Sequence, residues 1–176
     1  MRVFAGQGIA ERCDSCDAIA ADGYAKGLPM GGDDAGTEAP QSPVWAMKDP
    51  IGPNLDRIQI VMGRVENSKR HDAIFDVVAS GDRRQADGTV TPIDAPIDLA
   101  TGAFGAERGD PEWVGVLTDP DRNRDQQAFR NVRALPLPTA GWTLYDEINA
   151  GATYPPEVKR EIVERAWVSP IRHVLN

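Results

Sequence analysis

Cys13 and Cys16 are the only cysteines of the chain, and His71 and His173 are its only histidines. Their types invite three chemistries: thiol redox, structural zinc and imidazole catalysis. On a helix, Cys13-x-x-Cys16 puts both thiols on one face, because residues three apart are neighbours there. Structural zinc needs a second thiol pair or two nearby imidazoles, and a redox pair belongs in a thioredoxin-like βαβ setting; the surrounding residues offer neither. The bland reading is two small residues on a helix face, disulfide-bonded where the compartment is oxidising. Ser15, Ser42, Ser68, Ser80 and Ser169 have two histidines to share, and none stands in a Gly-x-Ser-x-Gly elbow. Gly6-Gln7-Gly8 lacks the third glycine and the Lys-Ser/Thr pair of a phosphate loop.

The acidic residues offer more. Gly31-Gly32-Asp33-Asp34 follows Pro29-Met30, and a tight turn there presents Asp33 and Asp34 as candidate binding residues. The plainer reading of that stretch is a turn and nothing else. Asp119-Pro120-Asp121-Arg122-Asn123-Arg124-Asp125 spaces oxygen ligands alternately, as a calcium loop does. The sixth and twelfth positions of such a loop require Gly and Glu, yet hold Arg124 and Arg130 here, so the expectation is a solvated turn whose Asp side chains cap backbone N–H groups. No catalytic residue, metal ligand or cofactor site is assigned. His173, beside Arg172, is read as a surface or interface residue.

The elements that must position these residues follow from patterning. Met1-Arg2-Val3-Phe4-Ala5 opens as a strand, without the basic-then-apolar order of a signal peptide. Residues 11–26 are Ala-rich, with Cys13, Cys16, Ile19/Ala20 and Tyr24 at helical spacing and Gly27 as the stop. Residues 28–43 are dense in Gly, Pro and acid and read as loop, followed by a short strand at 44–47. Residues 56–65 and 73–78 are β-branched and alternating, with the polar turn 66–70 between them: a hairpin. Residues 81–110 hold short strands at best, and 112–118 and 127–135 are further strands. Thr143 caps a short helix over 144–148, Pro155-Pro156 starts a helix through 165, and 166–171 closes as a strand. The sum is a mainly β, antiparallel β-sandwich-like domain with two or three short helices, occupying 1–176 as a single unit.

Composition bounds the partners. A net charge of -8 with no Lys/Arg cluster removes the electrostatic term behind nucleic-acid binding. No apolar run is long enough to span a membrane as a helix. The compartment stays open.

Several segments, in order, resemble a bacterial family catalogued as domain of unknown function 3604, related to PHP-type metal-dependent hydrolases. They include 23–33 (Gly-Tyr-Ala-Lys-Gly-Leu-Pro-Met-Gly-Gly-Asp), 46–50 (Ala-Met-Lys-Asp-Pro), 55–63 (Leu-Asp-Arg-Ile-Gln-Ile-Val-Met-Gly), 118–121 (Thr-Asp-Pro-Asp) and 164–171 (Glu-Arg-Ala-Trp-Val-Ser-Pro-Ile). The chain departs from the family pattern by carrying Arg64, Arg130-Asn131 and Arg172-His173 where relatives have aromatic residues. The resemblance implies the C-terminal, accessory half of a larger protein, packing against a catalytic barrel that this chain does not contain. The alternatives are a stand-alone binding or oligomerising protein, or a fragment lending an acidic loop (Asp33, Asp34) to a hydrolase active site. The expected partners are a barrel-bearing chain or a second copy, docking on an apolar patch drawn from Trp45, Trp113, Trp142 and Trp167.

Overall fold

The computed structural model describes residues 1–9, 15–36, 39–93, 97–118, 123 and 125–175. Its elements, in chain order, are β1 (Arg2–Gly6), α1 (Cys16–Lys26), β2 (Gly27–Pro29), β3 (Asp33–Asp34), β4 (Gln41–Met47), β5 (Leu55–Glu66), β6 (Lys69–Ala79), β7 (Glu112–Thr118), β8 (Ala128–Pro136), β9 (Thr139–Ala140), α2 (Trp142–Ala150), β10 (Glu161–Ile162), β11 (Ala166–Trp167) and β12 (Ile171–His173).

Two sheets carry the fold. Sheet A runs β2-β1-β4-β7, and sheet B runs β3-β12-β8-β5-β6, with β11 also paired to β8. All their pairings are antiparallel except β3 with β12, so the mainly β, antiparallel sandwich expected from the sequence is what forms. Val3, Ala5, Val44 and Ala46 from sheet A meet Ile58, Ile60, Val132, Ala134 and Ile171 from sheet B, each buried, in one apolar cluster. Fully burying each Val or Ile side chain among them contributes about 1.5–3 kcal/mol.

α1 lies on the other side of sheet A. Ser15 caps it, its Oγ accepting the Ala18 N–H at 3.2 Å. Ile19 and Gly23 are the buried positions, and Ile19 clusters with Phe4 and Ile9. A Cβ at Gly23 would come within 2.3 Å of the Phe4 ring, so only glycine lets the helix approach the sheet this closely. Tyr24, expected on the inner face, is instead exposed and meets Phe4 edge-on at 4.9 Å. The N-terminal part of the expected 11–26 helix, with Cys13, lies outside the described residues; Cys16 is half-buried.

The β5–β6 hairpin forms as expected, with a tighter turn. Only Asn67 and Ser68 lie outside the strands, at φ 49° and 61°, the signature of a two-residue type I′ connection. Other expectations are corrected. Residues 28–43 are not all loop: β2, β3 and the start of β4 fall there. α2 begins at Trp142 with Gly141 as its cap residue, and the Thr143 hydroxyl donates to the Lys159 carbonyl at 2.7 Å instead of capping the helix.

No helix forms over 156–165. Arg160 folds back, donating to the carbonyls of Tyr154, Val158 and Pro155 and to the Glu147 carboxylate, while Glu161–Ile162 pairs with β9. Ile162 and Val163 stay exposed, so their helical spacing never reaches a core. The expected 166–171 strand is two short ones, β11 and β12. No described helix is long and apolar enough to cross a membrane.

Candidate functional site

Asp33 and Asp34 do not sit in a free turn. They form β3, which runs parallel to β12 with Arg172 opposite Asp33 and His173 opposite Asp34. Arg172 Nε donates to Asp33 Oδ1 at 2.7 Å, in an exposed pair. The Asp34 side chain turns inward: Oδ1 accepts the Gly36 N–H at 2.9 Å, and Oδ2 lies 3.6 Å from buried Arg130. His173, expected at the surface or at an interface, is buried within the chain. Its Nδ1 lies 2.8 Å from the Asp34 carbonyl, which can only accept, so Nδ1 carries the proton. Both acids therefore already hold cationic partners and fasten one strand to another.

The pairing registers draw these residues into a row across sheet B. Asp33 pairs with Arg172, Arg172 with Phe129, Phe129 with Gly63, and Gly63 with Asp72. Paired residues point to the same face, and this is the face turned away from sheet A, because Ile58, Ile60 and Val132 point to the sandwich core. At Gly63 the missing side chain leaves room for the Phe129 ring; a Cβ there would lie 2.4 Å from it. Val61, Val65, Arg70, Arg64, His71 and His173 border the same trough, of about 700 Å³. His71 and His173 belong to the neighbouring row, Asp34–His173–Ala128–Arg64–His71, whose side chains point to the opposite face, and two strands, β8 and β5, lie between them.

Further along the same face a polar ladder crosses four strands. Gln59 Nε2 donates to Asp76 at 2.7 Å, Arg133 Nε donates to Gln59 Oε1 at 2.7 Å, and the Arg133 guanidinium lies 5.3 Å from the Trp167 ring centre. Burial lowers the Arg133 pKa from its ordinary value, and the neighbouring charges of Arg165 and Arg57 lower it further.

The four tryptophans divide into two pairs. Trp45 and Trp113 are half-buried, the first donating to Glu112 and the second to the Leu55 carbonyl at 3.3 Å. Trp142 is 83% exposed and Trp167 about half exposed. Trp142 starts a stripe on α2 that continues through Tyr145 and Ile148, all three exposed, while Leu144 anchors the helix inward. Gly151, at φ 65°, closes α2, and the Tyr154 hydroxyl donates to Asp146 at 2.9 Å, which raises the Tyr154 pKa.

Among the described residues no three His, Cys, Asp or Glu side chains gather as a metal site would need. Most of the calcium-like stretch 119–125 lies outside the described residues; within it, Asn123 Oδ1 accepts the Asp125 N–H at 3.0 Å, an ordinary side-chain-capped turn.

A family model described as protein of unknown function (DUF3604) matches residues 1–174. No curated protein and no solved structure matches the chain.

Proposed function

The chain belongs to the protein family of unknown function DUF3604, and we propose that it is a non-catalytic β-sandwich module that packs against a metal-dependent hydrolase barrel carried outside these residues. The observation that carries this reading is the stripe Trp142–Tyr145–Ile148 on α2. Large aromatic side chains left in water on a well-anchored helix are the groups that supply most interface energy when a partner covers them. Arg160 pins α2 to the following segment through Glu147, so the stripe is presented rigidly and loses little conformational freedom on docking. The module lends no acid to the barrel, because Asp33 is held by Arg172 and Asp34 by Arg130.

The test is titration of the chain with a separately expressed barrel from a family member, followed by tryptophan fluorescence. Saturable binding with a blue shift is expected, and Trp142→Ala weakens it at least about tenfold, the cost of losing one aromatic anchor. No binding up to about 100 μM, or binding that Trp142→Ala leaves unchanged, overturns the reading.

A further inference from the structure

The outer face of sheet B is apolar in the middle and charged at both ends of one row. Val61, Val65, Ile74 and Phe129 supply the apolar part, and Val65, Ile74 and Phe129 are exposed. Along the row the order is Asp33, Arg172, Phe129, Gly63, Asp72. Two identical faces can meet only about a two-fold axis lying in their common plane. An axis parallel to the strands, between β8 and β5, exchanges β8 with β5 and β12 with β6. It sets Arg172 against the partner's Asp72, and Asp72 against the partner's Arg172. It also brings the two Phe129 rings, each lying over its own Gly63, against each other at the axis. An axis crossing the strands instead puts Arg172 against the partner's Arg172, a repulsive contact that selects against that arrangement.

We propose that this face is the interface of a two-fold dimer of the chain, closed by two Arg172–Asp72 pairs and by the two Phe129 rings packing against each other at the axis. The occupant is a second copy because the charges of the row complement those of the same row turned over. The pairs work mainly by fixing register and excluding other partners, and the apolar middle supplies the affinity. This inference uses residues other than the α2 stripe, and it stands or falls independently of the barrel partnership.

Sedimentation equilibrium of the whole chain at low salt, from about 1 to about 300 μM, is expected to show the mass rising from 19.1 kDa towards twice that value. Asp72→Arg, at an exposed strand position, weakens the association at least about tenfold, and the charge swap Asp72→Arg with Arg172→Asp, accompanied by Asp33→Arg to keep the β3–β12 pair, restores it to within about threefold. Ile74→Glu tests the apolar middle without touching either charge and also weakens it about tenfold. A mass constant at 19.1 kDa overturns the proposal. So does association that survives Asp72→Arg and Ile74→Glu, which puts the contact on another face. A folded triple variant that fails to recover, with circular dichroism like the parent's, overturns it as well.

Discussion

The two sheets turn unequal backs to their surroundings. The outer face of sheet A is covered by α1, with Phe4, Ile9 and Ile19 buried and Trp45 and Val114 packed against them. The outer face of sheet B has no described helix over it, and it carries the ladder Asp76–Gln59–Arg133–Trp167 beside half-exposed apolar residues. The strands record the difference. β1 has three consecutive buried residues, Val3, Phe4 and Ala5, because it is enclosed on both sides. β5 and β8 keep polar groups on alternate positions, Gln59 and Arg133 among them, and satisfy those groups sideways across the sheet. An outer face can be finished by burial or by lateral hydrogen bonding, and this molecule uses one solution on each sheet.

The contrast is sharpest where a single side chain reports it. Ile19→Ala empties a fully buried site beneath α1 and is expected to cost about 3 kcal/mol, read as a lower urea midpoint at unchanged slope. Gly23→Ala comes next. Alanine favours a helix by up to about 1 kcal/mol, but the added Cβ meets the Phe4 ring. The clash wins, for a net loss of about 2 kcal/mol and a lower melting temperature. On the other sheet, Arg133→Ala removes the central rung of the ladder and costs about 1 kcal/mol in chemical denaturation. Ile74→Lys, on the open part of that face, changes monomer stability by less than about 0.5 kcal/mol in dilute solution. Equal losses for Ile19→Ala and Ile74→Lys would break the comparison, since they would mean that both faces are covered.

Local pattern was enough for the hairpin. The alternation through Arg57-Ile58-Gln59-Ile60 and the polar Asn67-Ser68 between two β-branched runs are short-range signals, and β5 and β6 follow them. The two-acid strand β3 was not legible. Asp33 and Asp34 have poor intrinsic strand preference and become one only because Arg172 and His173 lie beside them, 139 residues away. The helix read at 156–165 failed for a related reason. Val158, Ile162 and Val163 have helical spacing, but the carbonyls a helix would use internally are taken by the Arg160 side chain, and Ile162 is claimed by β9. Of the candidate site, Asp33 and Asp34 were identified by type and their employment was not. The row that contains Asp33 is assembled from four pairing registers, which no window of sequence displays.

The β3–β12 pairing also dictates an order of events at the ribosome. Asp33 must wait for Arg172, and at synthesis rates of about 5–20 residues per second a delay of 139 residues lasts roughly 7 to 28 s. Throughout that interval β3 emerges with its strand partner, β12, not yet made. Two adjacent carboxylates are well suited to the wait, because like charges on a short, hydrophilic stretch discourage it from pairing with the wrong edge. The sandwich is therefore completed at that edge only when β12 arrives.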